Sequence, residues 1–245
     1  MPLPVLSCCT YLTDVDGVAW RSRDYDAHDF ICAIKEKPIN MFAQVPVRGS
    51  LRRLDDSNRD RALVWFAQMI ADCADRRLMG APVALIPVPN SHCSVGASEP
   101  PRTRALAEAL AVELNGGTGG PGGAIDGEEP AGRRQPAGDA VVLDILRWSE
   151  PVQPAHLLRG TRDPQELFGR LTIVGSLDAL TNRRAVLVDD VLTTGGHLQA
   201  CAARIRRHGH RIDVAVVAGR ADQTQVAEPF TIRIDEIAEF APEGS

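Results

Sequence analysis

Ala185-Val-Leu-Val188 is an apolar run without alternation, the pattern of a strand in a sheet covered on both faces. It ends in two adjacent carboxylates, Asp189 and Asp190, and is followed by two hydroxyls and two glycines, Thr193-Thr-Gly-Gly196. Beyond them Leu198, Cys201, Ala202 and Ile205 recur at helical spacing, with Gly209 placed as a C-terminal stop. A strand, a turn of small residues and a helix start leave free backbone N–H groups aimed at whatever lies over the turn. That arrangement suits a phosphate. The carboxylates would repel a phosphate, so their chemistry is different. They suit sugar hydroxyls, which donate to them, or a magnesium ion.

Val188-Asp-Asp-Val-Leu-Thr-Thr-Gly-Gly196 resembles the phosphoribosyl pyrophosphate (PRPP)-binding motif of type I phosphoribosyltransferases. The resemblance implies that Asp189 and Asp190 hold the ribose hydroxyls, while Val191, Leu192, Thr193, Thr194, Gly195, Gly196 and His197 surround the 5-phosphate. His197 departs from the family, which has Thr or Ser there. One hydroxyl contact is removed, although an imidazole can still donate a hydrogen bond.

The chain of 245 residues is long enough for one sizeable α/β core with a subdomain attached. Its net charge of −5 lacks the basic footprint of a dedicated nucleic-acid binder, so nucleic acid is not an expected partner. Of its 27 basic residues only Lys35 and Lys37 are lysines, and neither stands in the Gly-Lys-Ser/Thr context of a Walker loop. No apolar run reaches membrane-spanning length and the N-terminus lacks a signal-like pattern, so a cytoplasmic protein without a membrane partner is expected. The 6 cysteines include no C-x2-C pair, which predicts reduced, mostly buried thiols rather than a structural zinc site.

Residues 1–80 read as an N-terminal extension, a hood or a homodimer surface, with an amphipathic helix over 60–78 marked by Leu63, Phe66, Ala67, Ile70 and Ala74. Within it Tyr11-Leu-Thr-Asp-Val-Asp-Gly-Val18 looks like the nucleophile motif of haloacid-dehalogenase-type phosphatases, with Asp14 as nucleophile, or else forms a polar turn. Residues 81–238 read as the core and 239–245 as a tail. Val83-Ala-Leu-Ile86 is a buried strand stopped by Pro87 and Pro89, and Leu106, Leu110 and Leu114 mark a helix over 103–115. This order is similar to the early core of ComF-like phosphoribosyltransferases. The similarity implies that Pro87, Val88, Pro89 and Asn90 receive the pyrophosphate, with Arg102 and Arg104 adding charge.

Residues 116–139 are rich in glycine and read as a flexible insertion. Gly117 to Gly122 satisfies Gly-x-Gly-x-x-Gly by composition, but a helix precedes it and Pro121 interrupts it, so no dinucleotide fold is expected. Strands are predicted over 141–146, 213–218 and 230–234. The arginine-rich segment 157–170 resembles the loop that closes the ComF-like site, which would make Arg159 and Arg162 the groups that neutralise a departing pyrophosphate.

The fold expected from this order is α/β, a mostly parallel central sheet flanked by helices, with its site at the C-terminal ends of the strands. The resemblance implies an enzyme that binds PRPP with Mg²⁺ and transfers its phosphoribosyl group to a nitrogenous base, releasing pyrophosphate. Asp189 or Asp190 is the expected contact if the protein touches the ion. Two alternatives stay open: a non-catalytic PRPP- or nucleotide-binding regulator, and the phosphatase using Asp14.

Overall fold

The computed structural model describes residues 1–13, 17–73, 81–116, 139–152 and 161–243. In chain order its elements are β1 (Leu3–Leu12), α1 (Ser22–Ile34), β2 (Ala43–Val47), β3 (Ser50–Leu54), α2 (Arg61–Cys73), β4 (Val83–Pro87) and α3 (Arg102–Leu114). They continue with β5 (Ala140–Val142), β6 (Leu146–Trp148), α4 (Pro164–Arg170), β7 (Leu171–Ile173), β8 (Arg184–Leu192), α5 (Gly196–Arg207), β9 (Ile212–Asp222) and β10 (Arg233–Ile237).

Six strands form the central sheet in the order β10-β1-β9-β8-β4-β5. All neighbours run parallel except β10, which is antiparallel to β1. The uninterrupted apolar run in β8 has its expected cause. Val186 and Val188 point into a core with α1, α2 and α3, while Ala185 and Leu187 point into a second core with α5. β9 repeats the pattern, with Val214 and Val216 on one side and Ala215 and Val217 on the other. The side-chain period of two therefore buries every position of the runs Ala185–Val188 and Val214–Ala218.

Residues from the N-terminal region contribute both a strand and a cover. β1 lies between β9 and β10, and α1, the β2–β3 hairpin and α2 pack over one face of the sheet. The described part of the predicted 60–78 helix is α2, which buries Phe66, Ala67 and Ile70 as its spacing requires. α5 ends where expected: Gly209 takes φ +83°, and its N–H donates to the Arg206 carbonyl.

Three expectations need correction. The predicted strand over 141–146 is two elements: β5 joins the sheet edge, and β6 pairs with β7 in a separate ribbon. The break falls at residues 143–145, where the Ile145 N–H donates to the Leu143 carbonyl and turns the chain. The last strand begins at Arg233 rather than 230, and Phe230 instead packs its ring against Phe30 at 5.9 Å. Within the predicted closing loop, 164–170 is helical, because Asp163 caps it by accepting from the Gln165 N–H and Pro164 occupies its first turn. Most of the glycine-rich insertion, together with Asp14 and Arg159, lies outside the described residues.

The connections that leave β4 and β8 position the site. α3 carries the chain from β4 to β5 across one face, whereas α5 carries it from β8 to β9 across the other. Two adjacent parallel strands whose crossovers diverge in this way open a crevice at their C-terminal ends. Among the described residues no helix is long and apolar enough to cross a membrane. No cysteine among them is bridged; Cys8, Cys9, Cys93 and Cys201 are buried.

Candidate functional site

The crevice brings Asp189, Asp190, the Thr193–Gly196 turn, His197 and Pro87–Asn90 to one end of the sheet. β8 runs through the acidic pair to Leu192, so the pair is held in strand geometry, with Asp189 in register with Val217. β4 stops alongside at Pro87, opposite Val188, and the Val88 N–H donates to the Val188 carbonyl. Gly195 caps α5 with φ +84°, a conformation that favours glycine, and no side chain caps the helix.

Both carboxylates are engaged within the chain. Asp189 Oδ1 accepts from the Asp190 N–H at 2.8 Å. The Asp190 carboxylate lies 3.8 Å from Lys35 Nζ and 3.5 Å from Arg102 Nη2, with its side chain 17% exposed. Lys35 follows α1 and Arg102 opens α3, so three distant parts of the sequence converge on one charge. Arg104, the other arginine expected near the pyrophosphate, turns instead to Glu108 at 2.7 Å and Asp144 at 3.7 Å.

Burial, and then the adjacent Asp190 charge, push the Asp189 carboxyl well above the usual carboxylate range. Burial lowers the pKa of His197, partly opposed by Asp190, and favours the neutral ring, which sits edge-on to Trp148 at 5.8 Å. Tyr11, from the end of β1, is pushed up by burial and then by Asp190. Lys35 and Tyr11 were not foreseen as site residues. The scarcity of lysine was a signal for the first; nothing local marked the second.

The turn itself is nearly full. Its cavity volume is about 10 Å³, on the order of one water molecule. The Arg162 backbone carbonyl lies directly against Gly196, where an added Cβ would stand 2.1 Å from that oxygen. Gly196 is thus required by close approach rather than by its backbone angles. The Pro87–Asn90 loop is pinned in the same way. Thr103 Oγ1 donates to the Val88 carbonyl at 2.6 Å, Trp148 Nε1 donates to the Asn90 carbonyl at 2.8 Å, and Cys93 Sγ donates to Asn90 Oδ1 at 2.6 Å.

The pKa shifts carry a stability consequence. The folded pKa of Asp189 lies above the unfolded value of about 3.9, so its cost to the fold is absent in acid and grows as pH rises through the folded pKa. Asp189→Asn keeps the acceptor for the Asp190 N–H and removes that cost. The variant is expected to melt above the wild type at neutral pH, with the gain vanishing near pH 3; equal melting temperatures across that range would refute it. His197 acts in another window. Its depressed folded pKa makes stability fall as pH drops below the unfolded value of about 6.5.

No family model matches the sequence. The chain is similar to urease accessory protein UreD 3 of Streptomyces griseus subsp. griseus, with 31% identity over 117 residues. The match covers 47% of this chain and 39% of that protein, so the chain spans about two fifths of the length of the curated relative it matches. These findings overturn the expected membership of the ComF-like phosphoribosyltransferases and the expected transfer reaction. They also overturn the enzyme assignment and its partners, PRPP and a base, since the relative is named as an accessory protein. The geometry gives the motif a second cause. Asp190 answers Lys35 and Arg102, Gly195 needs a positive φ, and Gly196 admits the Arg162 carbonyl, so each has a structural reason within the chain.

Proposed function

We propose that this chain is a non-catalytic binding protein with an accessory role, taking a phosphorylated, hydroxyl-bearing small molecule of the nucleotide class at the β8–α5 turn. The observation that carries this reading is the uncapped start of α5 at the switch point, overlain by Arg162 and edged by Asp189 and Asp190. Helix N–H groups attract a phosphate, and the Arg162 charge acts on the neighbouring His197. A carboxylate with spare acceptor capacity takes sugar hydroxyls. Mg²⁺ enters with the phosphate oxygens of the ligand, because Asp190 already faces two cations and Asp189 resists ionisation. Thr193, Thr194, Gly195, Gly196 and His197 would line the phosphate, and Pro87–Asn90 the far wall. The ligand must displace the Arg162 carbonyl to enter, so binding is coupled to movement of the 161–163 segment.

The accessory part of the reading draws on the name of the relative, a urease accessory protein. Calorimetric titration of AMP with Mg²⁺ into the full chain tests the binding part. Saturable heat is expected, with loss of binding in Asp190→Asn and chromatographically unchanged AMP after prolonged incubation. No heat with a folded wild type would sink the site assignment, and consumption of AMP would sink the non-catalytic reading. Co-elution with urease apoprotein on size exclusion is expected for an accessory role in that assembly; separate elution would remove it.

A further inference from the structure

One face of α1 gathers three different metal-ligand types outside the crevice. Cys32 lies four residues after His28 and three after Asp29, the two spacings that bring side chains together on a helix. His28 Nδ1 lies 3.4 Å from Asp29 Oδ1, and Cys32 Sγ lies 3.7 Å from the same nitrogen. All three donor atoms fall within 4.8 Å of one another. A tetrahedral zinc ion, with bonds of about 2.0–2.3 Å, spaces its nitrogen and oxygen ligands by about 3.4 Å and its nitrogen and sulfur ligands by about 3.6 Å. Two edges of such a site are therefore already formed without rearrangement.

Asp29 supplies an independent reason. Its carboxylate is buried, 3% exposed, and its hydrogen-bonding contacts are His28 Nδ1 and Asn40 Nδ2, each at 3.4 Å. Those contacts are long against the usual 2.9–3.0 Å of N–H···O bonds. A buried carboxylate with only long partners is costly unless a cation completes it. His28 is a third exposed, so an ion has a route in, and the rings of Trp20 at 5.3 Å and Tyr11 at 6.5 Å wall the imidazole.

We infer that His28, Asp29 and Cys32 form a site for a thiophilic divalent cation such as Zn²⁺, with a fourth position open to water or to an outside ligand. The mixed nitrogen, oxygen and sulfur set selects this class over Mg²⁺ or Ca²⁺, which take oxygen. Binding replaces the Cys32 S–H bond with a metal–sulfur bond, and the proton leaves to water. An open fourth position distinguishes this site from a closed structural zinc site, which needs four protein ligands.

The test uses the full chain stripped with chelator and titrated with Co²⁺, whose bond to a thiolate gives a near-ultraviolet charge-transfer band. One equivalent and a saturating band are expected, and Zn²⁺ should displace the cobalt. Cys32→Ser should abolish the band, and His28→Ala should weaken Zn²⁺ binding by at least about 100-fold, the upper end of what loss of an outer-shell partner does. Melting curves establish that each variant is folded. Cys32 is only half-buried, so its serine variant keeps the test open even if Asp29→Asn fails to fold. The absence of stoichiometric binding by the wild type, or a band that survives in Cys32→Ser, would overturn the site.

Discussion

Trp148→Ala is expected to lower stability by about 3–5 kcal/mol, the cost of emptying a large aromatic site in a packed core. The side chain is 0% exposed and packs in the core shared by α4 and α5. Its Nε1–H is the donor that fixes the Asn90 carbonyl, and its backbone N–H donates to the Cys93 carbonyl at 2.9 Å. The truncation therefore removes packing and also leaves an inward-facing carbonyl without its donor, which costs about 1–3 kcal/mol when it goes unmet. Against a total stability of about 5–15 kcal/mol, the loss is a large fraction. Urea denaturation should show a lower midpoint with the slope unchanged. Trp148→Phe separates the contributions: most packing returns, the donor does not, and a deficit of about 1–3 kcal/mol should remain. A wild-type midpoint in the alanine variant would show that the 90–95 loop does not depend on this ring.

The second large effect is expected at Gly196. Alanine at an ordinary helical position would gain up to about 1 kcal/mol over glycine. Here the added carbon would stand 2.1 Å from the Arg162 carbonyl oxygen and 3.1 Å from its carbon. Backbone atoms cannot swing aside as a side-chain tip can, and overpacking of this kind costs about 1–3 kcal/mol. The clash should outweigh the propensity, so Gly196→Ala is expected to melt lower or to expel the 161–163 segment. Limited trypsin digestion reads the second outcome as faster cleavage after Arg162. A variant with wild-type melting and wild-type cleavage would mean that the carbonyl does not rest on the turn.

The sequence made the covered strands legible because burial on both faces leaves a composition that polar residues cannot imitate. Val83–Ile86 and Ala185–Val188 are such runs, and they locate the centre of the sheet. The turn after β8 was legible for a related reason: two glycines in succession mark a backbone constraint whatever the ligand. β1 was harder. Ser7 and Thr10 interrupt its apolar character yet are buried at 0% and 2%, with hydroxyls that find no partner. The division of 141–146 was hidden because pairing partners, rather than local composition, decide where β5 ends and β6 begins. The charge balance of Asp190 was hidden for the same reason, since Lys35, Arg102 and Asp190 meet only after three elements have packed. The motif was misleading because Asp190, Gly195 and Gly196 each also serve the fold.

The two ends of the central sheet have a bearing on how this protein behaves when concentrated. One boundary strand, β5, has only 3 residues, and the other, β10, carries Arg233, Asp235 and Glu236 along its 5. A short border and a charged one are both poor templates for an incoming strand. Fibrillar growth by edge-to-edge addition is therefore disfavoured from the folded state. Any tendency to precipitate would then arise from transiently opened chains that expose the β8 and β9 runs, so its rate should follow the unfolded population rather than the concentration of native protein alone.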